Sequence, residues 1–218
     1  MRKLIRIALI TAIGTLALSS VASAHEVWIE KDATGPARVY LGEPDSPMPE
    51  GGDPEFHRLT SPTVFQSDPK ARLATVRKED HLAIDSSISG DIRLIDDAVF
   101  DAWNSDGKTT AAIFYARAGR QEPVSYMDFE IVPTEPYSDI YTVLFRNSPV
   151  ANAHITVIAP GRWHKTFSAD ASGRFAAPYI GPGRYILSSI HTEDVQAEVN
   201  EQNVDAIMHI TTATIVKE

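Results

Sequence analysis

The sequence predicts an all-β protein built from two packed β-sandwiches. Short runs rich in β-branched and aromatic residues recur along the chain, and clusters of Gly, Pro, Asn and Asp separate them. This alternation of short strands and turn residues is typical of a sandwich. Only residues 69–76 and 194–205 have room for a short helical turn. The runs are VWIE from Val27, ARVYLG from Ala37, IRLI from Ile92, AAIFYA from Ala111, MDFEIV from Met127, YTVLF from Tyr141, HITVIA from His154, RYILSSIH from Arg184 and ATIV from Ala213.

Residues 1–24 have the pattern of a secretory signal. Three basic residues precede a mostly apolar run from Ile7 to Leu18, and the small residues Ala22-Ser23-Ala24 form a cleavage site. The apolar run is too short to span a bilayer. We therefore expect a periplasmic or secreted protein, cut after Ala24 and not inserted in the membrane afterwards. Ser20-Val21-Ala22 offers a second cleavage site.

The composition excludes several classes of site and partner. The chain has no cysteine, which excludes disulfides, thiolate metal sites and a lipid-anchoring cysteine. Its formal charge is −9, and it becomes −12 once the three cations of the signal are removed. An acidic surface argues against nucleic acid and anionic membranes as partners. There is also no hydrolase, phosphate-loop or dinucleotide motif.

Two segments organise the mature chain. Pro133 and Pro136 interrupt any strand ladder in IVPTEPYSDI, because proline has no backbone N–H. We place the boundary there, with one sandwich over residues 25–135 and the second over 136–218. The segment from Gly42 to Phe65 is rich in Gly, Pro and acidic residues and is predicted to be a long loop, a kind that is usually functional or poorly ordered.

Two parts of the sequence resemble a known family. AHEVWIE followed by VYLGEP resembles the start of periplasmic proteins described as cobalt/nickel transport components, whose function is otherwise undefined. SPVANAHITVIAPG and ADASGRFAAPYIGPGRYILSSIH are similar to the transthyretin-like, or carboxypeptidase-regulatory-like, sandwich that closes that family. The resemblance implies transition-metal handling and points to His25 and His191. It is loose in the middle third, and His209 stands where the family often has aromatic residues.

A histidine at the start of a chain is a chelating group. Its α-amine and ring Nδ1 can close a ring on one cation, and both lose their protons near neutral pH when a metal competes. With a second imidazole from His191, such a site suits Cu(II) or Ni(II), which favour nitrogen donors in a plane. The amino-terminal copper/nickel motif is excluded, because it needs histidine as the third residue and Val27 stands there.

Four histidines are candidate metal ligands. The first two are His25 and His191; the latter shares a strand face with Tyr185 and Leu187 by alternation. The next are His209, near the C-terminal strand, and His154, which alternation turns outward. If the first two histidines are not metal ligands, we expect His25 to be a frayed terminus and His191 to be a hydrogen-bonded core residue. The loop histidines are weaker candidates: His57, His81 and His164.

The sequence therefore predicts a soluble periplasmic protein, not an enzyme, that binds Ni, Co or Cu and supports metal uptake or delivery. An envelope metal transporter or an outer-membrane receptor is the candidate partner. A purely structural partner of an outer-membrane receptor, with the 42–65 loop as the contact, is a rival interpretation. One alternative is an oxidative copper enzyme using a terminal-histidine site. Another is a metal-free carbohydrate-binding or adhesion module, with Trp28, Trp103 and Trp163 as the stacking residues.

Overall fold

The computed structural model describes residues 25–32, 35–60, 62–85 and 88–218. The predicted all-β fold is confirmed: these residues form strands joined by turns, with one short 3-10 turn at Pro54–Arg58. The predicted signal segment and its cleavage site lie outside the described residues. The strands are β1 Glu26–Glu30, β2 Ala37–Gly42, β3 Thr63–Phe65, β4 Thr75–Arg77, β5 Leu82–Ile84, β6 Ile92–Asp96, β7 Trp103–Ser105, β8 Lys108–Ala118, β9 Phe129–Pro133, β10 Ile140–Phe145, β11 Ser148–Pro149, β12 His154–Ile158, β13 His164–Ser168, β14 Arg174–Ala176, β15 Gly183–Val199 and β16 Gln202–Lys217.

The described residues form three sheets. The central sheet has the order β13-β12-β15-β16-β8-β6-β3, with β7 paired to β8. The N-terminal sheet has the order β1-β2-β5-β4, and the outer sheet consists of β9, β10, β11 and β14. Within the central sheet β16 runs parallel to β8, so that strands from both halves of the chain share one hydrogen-bonded layer.

The two main cores lie on opposite faces of the central sheet. Alternation along β8 sends Phe114 and Ala116 into the core beneath the N-terminal sheet, whereas Tyr115 faces the core beneath the outer sheet. The sheets therefore pack face to face on both sides of a shared layer. The predicted boundary at residue 135 falls between β9 and β10, which pair with each other, and as a division into folding units it stays a prediction.

Strand β1 is held against the central sheet by both of its faces. Val27 and Ile29 pack in the N-terminal core, while Trp28 packs on Ile158 of β12 and Ile186 of β15. The carbonyl of Val27 also accepts a hydrogen bond of 2.8 Å from the Thr212 hydroxyl. These contacts fix the position at which residue 25 enters the fold.

The hairpin β15–β16 is longer than the sequence predicted. The run RYILSSIH ends at His191, but β15 continues to Val199 because β16 pairs with it along almost its whole length. The stretch 194–205 is therefore strand and turn, not helix. Residues Asn200 and Glu201 both have positive φ and make the tight connection. Across the described part of the chain, no helix is long and apolar enough to cross a membrane.

Candidate metal site and the placement of the predicted ligands

His25 lies at the edge of a small acidic cavity. Its ring Nε2 is 3.2 Å from Oδ1 of Asp53, and the side chains are 28% and 9% exposed. The His25 ring also packs on Phe100 in a T-shaped contact, at 5.8 Å between centroids. The cavity has a volume of about 360 Å³, and its lining includes the carboxylates of Glu43, Asp53 and Glu55 and the thioether of Met48. His25 is thus packed and partnered.

Local sequence explains why Asp53 faces His25. Asp53 is the N-cap of the 3-10 turn, with proline at the next position, and its Oδ1 accepts a hydrogen bond of 2.8 Å from the Glu55 N–H. Gly42 allows the close approach at the end of β2, since a Cβ there would lie 3.1 Å from Oδ2 of Asp53. The segment 42–65, predicted as a long loop, therefore holds a carboxylate in a fixed position.

The Asp53 contact selects one form of the His25 ring. A carboxylate accepts hydrogen bonds and does not donate them, so Nε2 carries the proton in this contact. In the neutral ring Nδ1 then has the free lone pair, and it is the ring nitrogen nearer the main chain. A carboxylate bonded to the far nitrogen of a histidine is the usual companion of a metal-bound imidazole.

The charge around His25 is negative. Arg58 holds the pKa of Glu55 below its ordinary value through a hydrogen bond, with smaller contributions from His57 and His25. Among the described residues, no three His, Asp or Glu side chains converge closely enough to form a metal cage by themselves. A cut after Ala24 would add a donor that is not a side chain, the α-amine of residue 25.

The structure brings His191 and His209 together. They are register partners on β15 and β16, with ring centroids 6.3 Å apart, and both rings pack on Phe145 at 4.5 and 4.9 Å. This pair faces the outer sheet, whereas His25 lies on the side of the N-terminal sheet. His25 and His191 are therefore not brought into one site.

His209 is a hydrogen-bonded core residue. It is 1% exposed, its Nδ1 is 3.1 Å from the Tyr115 hydroxyl, and its Nε2 is 3.4 Å from Oε2 of Glu193. Glu193 is itself held by both terminal nitrogens of Arg146, at 2.7 and 2.9 Å. Burial lowers the pKa of His209, opposed by its bond to Glu193, so the neutral ring is favoured. Both of its ring nitrogens are engaged.

The other histidines are dispersed. His154 is exposed on the face predicted for it, with Ser168 as its neighbour across β12–β13 at 3.4 Å. His57 bonds to the carbonyl of Pro54 at 2.8 Å within its own turn. The remaining two pair with nearby aspartates: His81 with Asp80, and His164 with Asp45.

A buried ionic network was not predicted from the sequence. Arg93 and Arg117 are fully buried together with Glu130 and Asp91, in the layer between the central sheet and β9. Alternation along β6 does predict that Arg93 points to the face opposite Ile92 and Leu94. It cannot show that β9 covers the Arg93 face. The network fixes the connection 119–128 and lies away from any cavity described above.

Comparison of the chain with protein-family models, curated proteins and solved structures finds no match in any of the three. The resemblance to metal-transport components therefore stays a prediction.

Proposed function

We propose that the protein is an exported metal-binding protein that holds one transition-metal ion, Ni, Co or Cu, at residue 25, and that it serves metal capture or delivery in the cell envelope. The observation that carries this proposal is the contact between His25 and Asp53. It supports a ring whose Nδ1 is free beside the main-chain nitrogen, as a terminal chelate requires.

The nitrogen donors suit such an ion, although no three acidic or histidine side chains of the described residues converge there. The α-amine and Nδ1 of a chain beginning at His25 supply two nitrogens, and the cavity offers carboxylate oxygens from Glu43 and Glu55. Nitrogen donors suit copper and nickel, and copper binds such donors more tightly than nickel or cobalt. Bound there, the ion would carry positive charge into a cavity that is negative without it. The chain's own contribution is to orient the ring, through Asp53.

His191 is not part of this proposed site. It lies across the central sheet from β1, and its neighbours are Phe129, Phe145 and His209. The carboxylates of the His25 cavity are the closer source of further ligands. The proposal therefore keeps the terminal chelate of His25 that the sequence predicted. It replaces the imidazole of His191 with carboxylates from the cavity.

The test is a calorimetric titration of Cu(II) and Ni(II) into two forms of the protein. One form begins at His25, and the other has one extra residue in front of it, which converts the amine into an amide. We expect one-to-one binding by the first form and a loss of at least about tenfold in affinity in the second. His191→Ala in the first form is the matched control and should bind as the parent does. Equal binding by the two forms, or no binding by either, would overturn the proposal.

A further inference from the structure

A second cavity, of about 510 Å³, lies between the N-terminal sheet and the β12–β15 edge of the central sheet. One wall is aromatic: Trp28 and Tyr40 are register partners on β1 and β2, and their rings stack at 5.4 Å with an interplanar angle of 23°. Trp28 is only 4% exposed, whereas Tyr40 is half-buried and also contacts the His81 ring, at 5.6 Å between centroids. The part of the Tyr40 ring that these two neighbours leave open is the aromatic surface available to a ligand. Met48 and Ile186 extend this apolar wall. A ligand cavity in this size range is typical for a small molecule.

Four charged side chains line the same cavity. The carboxylates are Glu30 and Asp80, and the guanidinium groups are Arg162 and Arg184. Arg184 bonds to Glu30 at 2.9 Å, and its Nε is buried without a partner. Asp80 is 40% exposed and uses one oxygen for His81. The formal charges of the lining therefore sum to zero, with donors and acceptors both present.

This balance disfavours a ligand that carries a net charge. The two carboxylates would repel an anion, and the two guanidinium groups would repel a cation. Like-charge repulsion of either kind costs free energy of binding. A neutral molecule with several hydroxyl groups can donate to Asp80 and accept from Arg162, because each hydroxyl does both. Its apolar face would lie on an aromatic ring. A sugar ring has this combination of one apolar face and a hydroxyl edge.

We propose that this cavity binds a neutral oligosaccharide, with one sugar ring on Tyr40 and its hydroxyls bonded to Asp80 and Arg162. Of the three tryptophans considered from the sequence, Trp28 lines this cavity, whereas Trp103 lies on β7 and Trp163 is exposed on the β12–β13 turn. The sugar site uses none of the residues proposed to hold a metal. The two proposals can therefore fail separately.

The experiment is an NMR titration of the ¹⁵N-labelled protein, in the presence of EDTA, with cellotriose, maltotriose and triacetylchitotriose up to about 10 mM. At least one trisaccharide should give saturable shifts at the Trp28 indole N–H and at the amides of Tyr40 and Asp80. Asp80→Asn and Arg162→Gln should each weaken binding by about tenfold, because each removes hydrogen bonds to a charged group. Trp163→Ala is the control outside the cavity and should leave the affinity unchanged.

Both variants replace partly or fully exposed side chains, and unchanged thermal unfolding will show that they remain folded. Absence of saturable shifts with all three sugars overturns the proposal. So do shifts that lie elsewhere, or that persist unchanged in both variants. Trigalacturonate is an anionic trisaccharide. If it binds more tightly than every neutral trisaccharide, the inference that the ligand is neutral is wrong. A His25→Ala chain should bind the sugar as the parent does, whatever its metal affinity.

Discussion

Arg93 and Arg117 are register partners on β6 and β8, and both donate a hydrogen bond to the same oxygen of Glu130, at 2.8 and 2.9 Å. The second oxygen of Glu130 accepts from the Ser125 hydroxyl and the Tyr126 N–H. Asp91 takes the other end of Arg117 at 2.5 Å. Buried charges are tolerated here because each is paired and hydrogen-bonded. The arrangement fastens β9 and the connection before it to the central sheet.

Glu130→Gln should therefore destabilise the protein strongly. The variant leaves two buried guanidinium groups with one carboxylate fewer, and breaking a buried pair in this way costs about 3–5 kcal/mol of unfolding free energy. Urea unfolding at neutral pH measures it. Glu122→Gln is the matched control: Glu122 also bonds to Arg93, but its side chain is 38% exposed, and we expect a loss below about 1 kcal/mol. Equal losses in the two variants would show that burial of the network is unimportant.

The contrast between this network and the strands shows what a sequence can predict. Alternation placed Ile155 and Val157 on one face and His154 on the other, and the structure agrees. Such patterns are local and depend on each strand alone. Pairing of β16 with β8 brings together residues about a hundred positions apart, and no local pattern specifies it. Burial of Arg93 depends on that assembly and was missed for the same reason.

The candidate site also has one part that local sequence predicts and another that depends on long-range assembly. His25 was singled out by its place after the predicted signal segment, which is a feature of the sequence alone. Its partner Asp53 is 28 positions away and meets it because the Asp-Pro pair starts a 3-10 turn beside β2. The sequence did contain the capping signal, Asp53 followed by Pro54, but it did not show that the Asp53 side chain faces His25. His191 and His209 became neighbours through the hairpin register, which separates both from His25.

Asp53→Ala should change the state of the His25 ring. The alanine variant removes the acceptor for Nε2, so the fraction of the Nε2–H tautomer should fall, as ¹⁵N ring shifts will report. If the proposed site is correct, Cu(II) affinity of the chain beginning at His25 should fall by about 10–100-fold. Loss of the cap should also cost about 1 kcal/mol of stability.

Asp53→Asn is the partner variant for this test. Asparagine retains an oxygen that can accept from both His25 and the Glu55 N–H, so the tautomer and the cap should survive. Asp45→Asn, which alters a carboxylate paired with His164, is the control. An unchanged tautomer in Asp53→Ala would show that the carboxylate does not orient the ring.

Asp96 should make stability depend on pH. Burial raises its pKa from 3.8 to about 6; the Ala98 N–H opposes this and Asp97 adds to it. The folded protein thus keeps this proton to a higher pH than the unfolded chain. Its contribution to stability is complete below pH 3.8 and is lost as the pH rises to about 6.

Asp96→Asn removes that dependence. An amide resembles the protonated acid and can still accept from the Ala98 N–H. The variant should be more stable than the parent by about 2 kcal/mol near pH 7.5 and equal to it near pH 4. Urea unfolding at the two pH values measures the difference. Asp97→Asn alters an exposed neighbour and should raise the stability near pH 7.5 by less than Asp96→Asn does. A larger gain from Asp97→Asn would contradict burial as the main cause of the raised pKa of Asp96.

Glu201→Gly should stabilise the long hairpin. Asn200 and Glu201 form its two-residue turn with φ of 45° and 63°, a conformation in which glutamate is strained and glycine is not. The change creates an Asn-Gly turn, and we expect a gain of about 0.5–1 kcal/mol in unfolding free energy. Glu198→Gly, in the paired part of β15, is the control and should destabilise by a similar amount. The hairpin runs from this turn through one register shift between Asp194 and Ala197 to the pair His191–His209. The Glu201→Gly protein should keep that register, and with it the nuclear Overhauser contacts between the two rings. Loss of those contacts with increased stability would mean that the turn permits a second register.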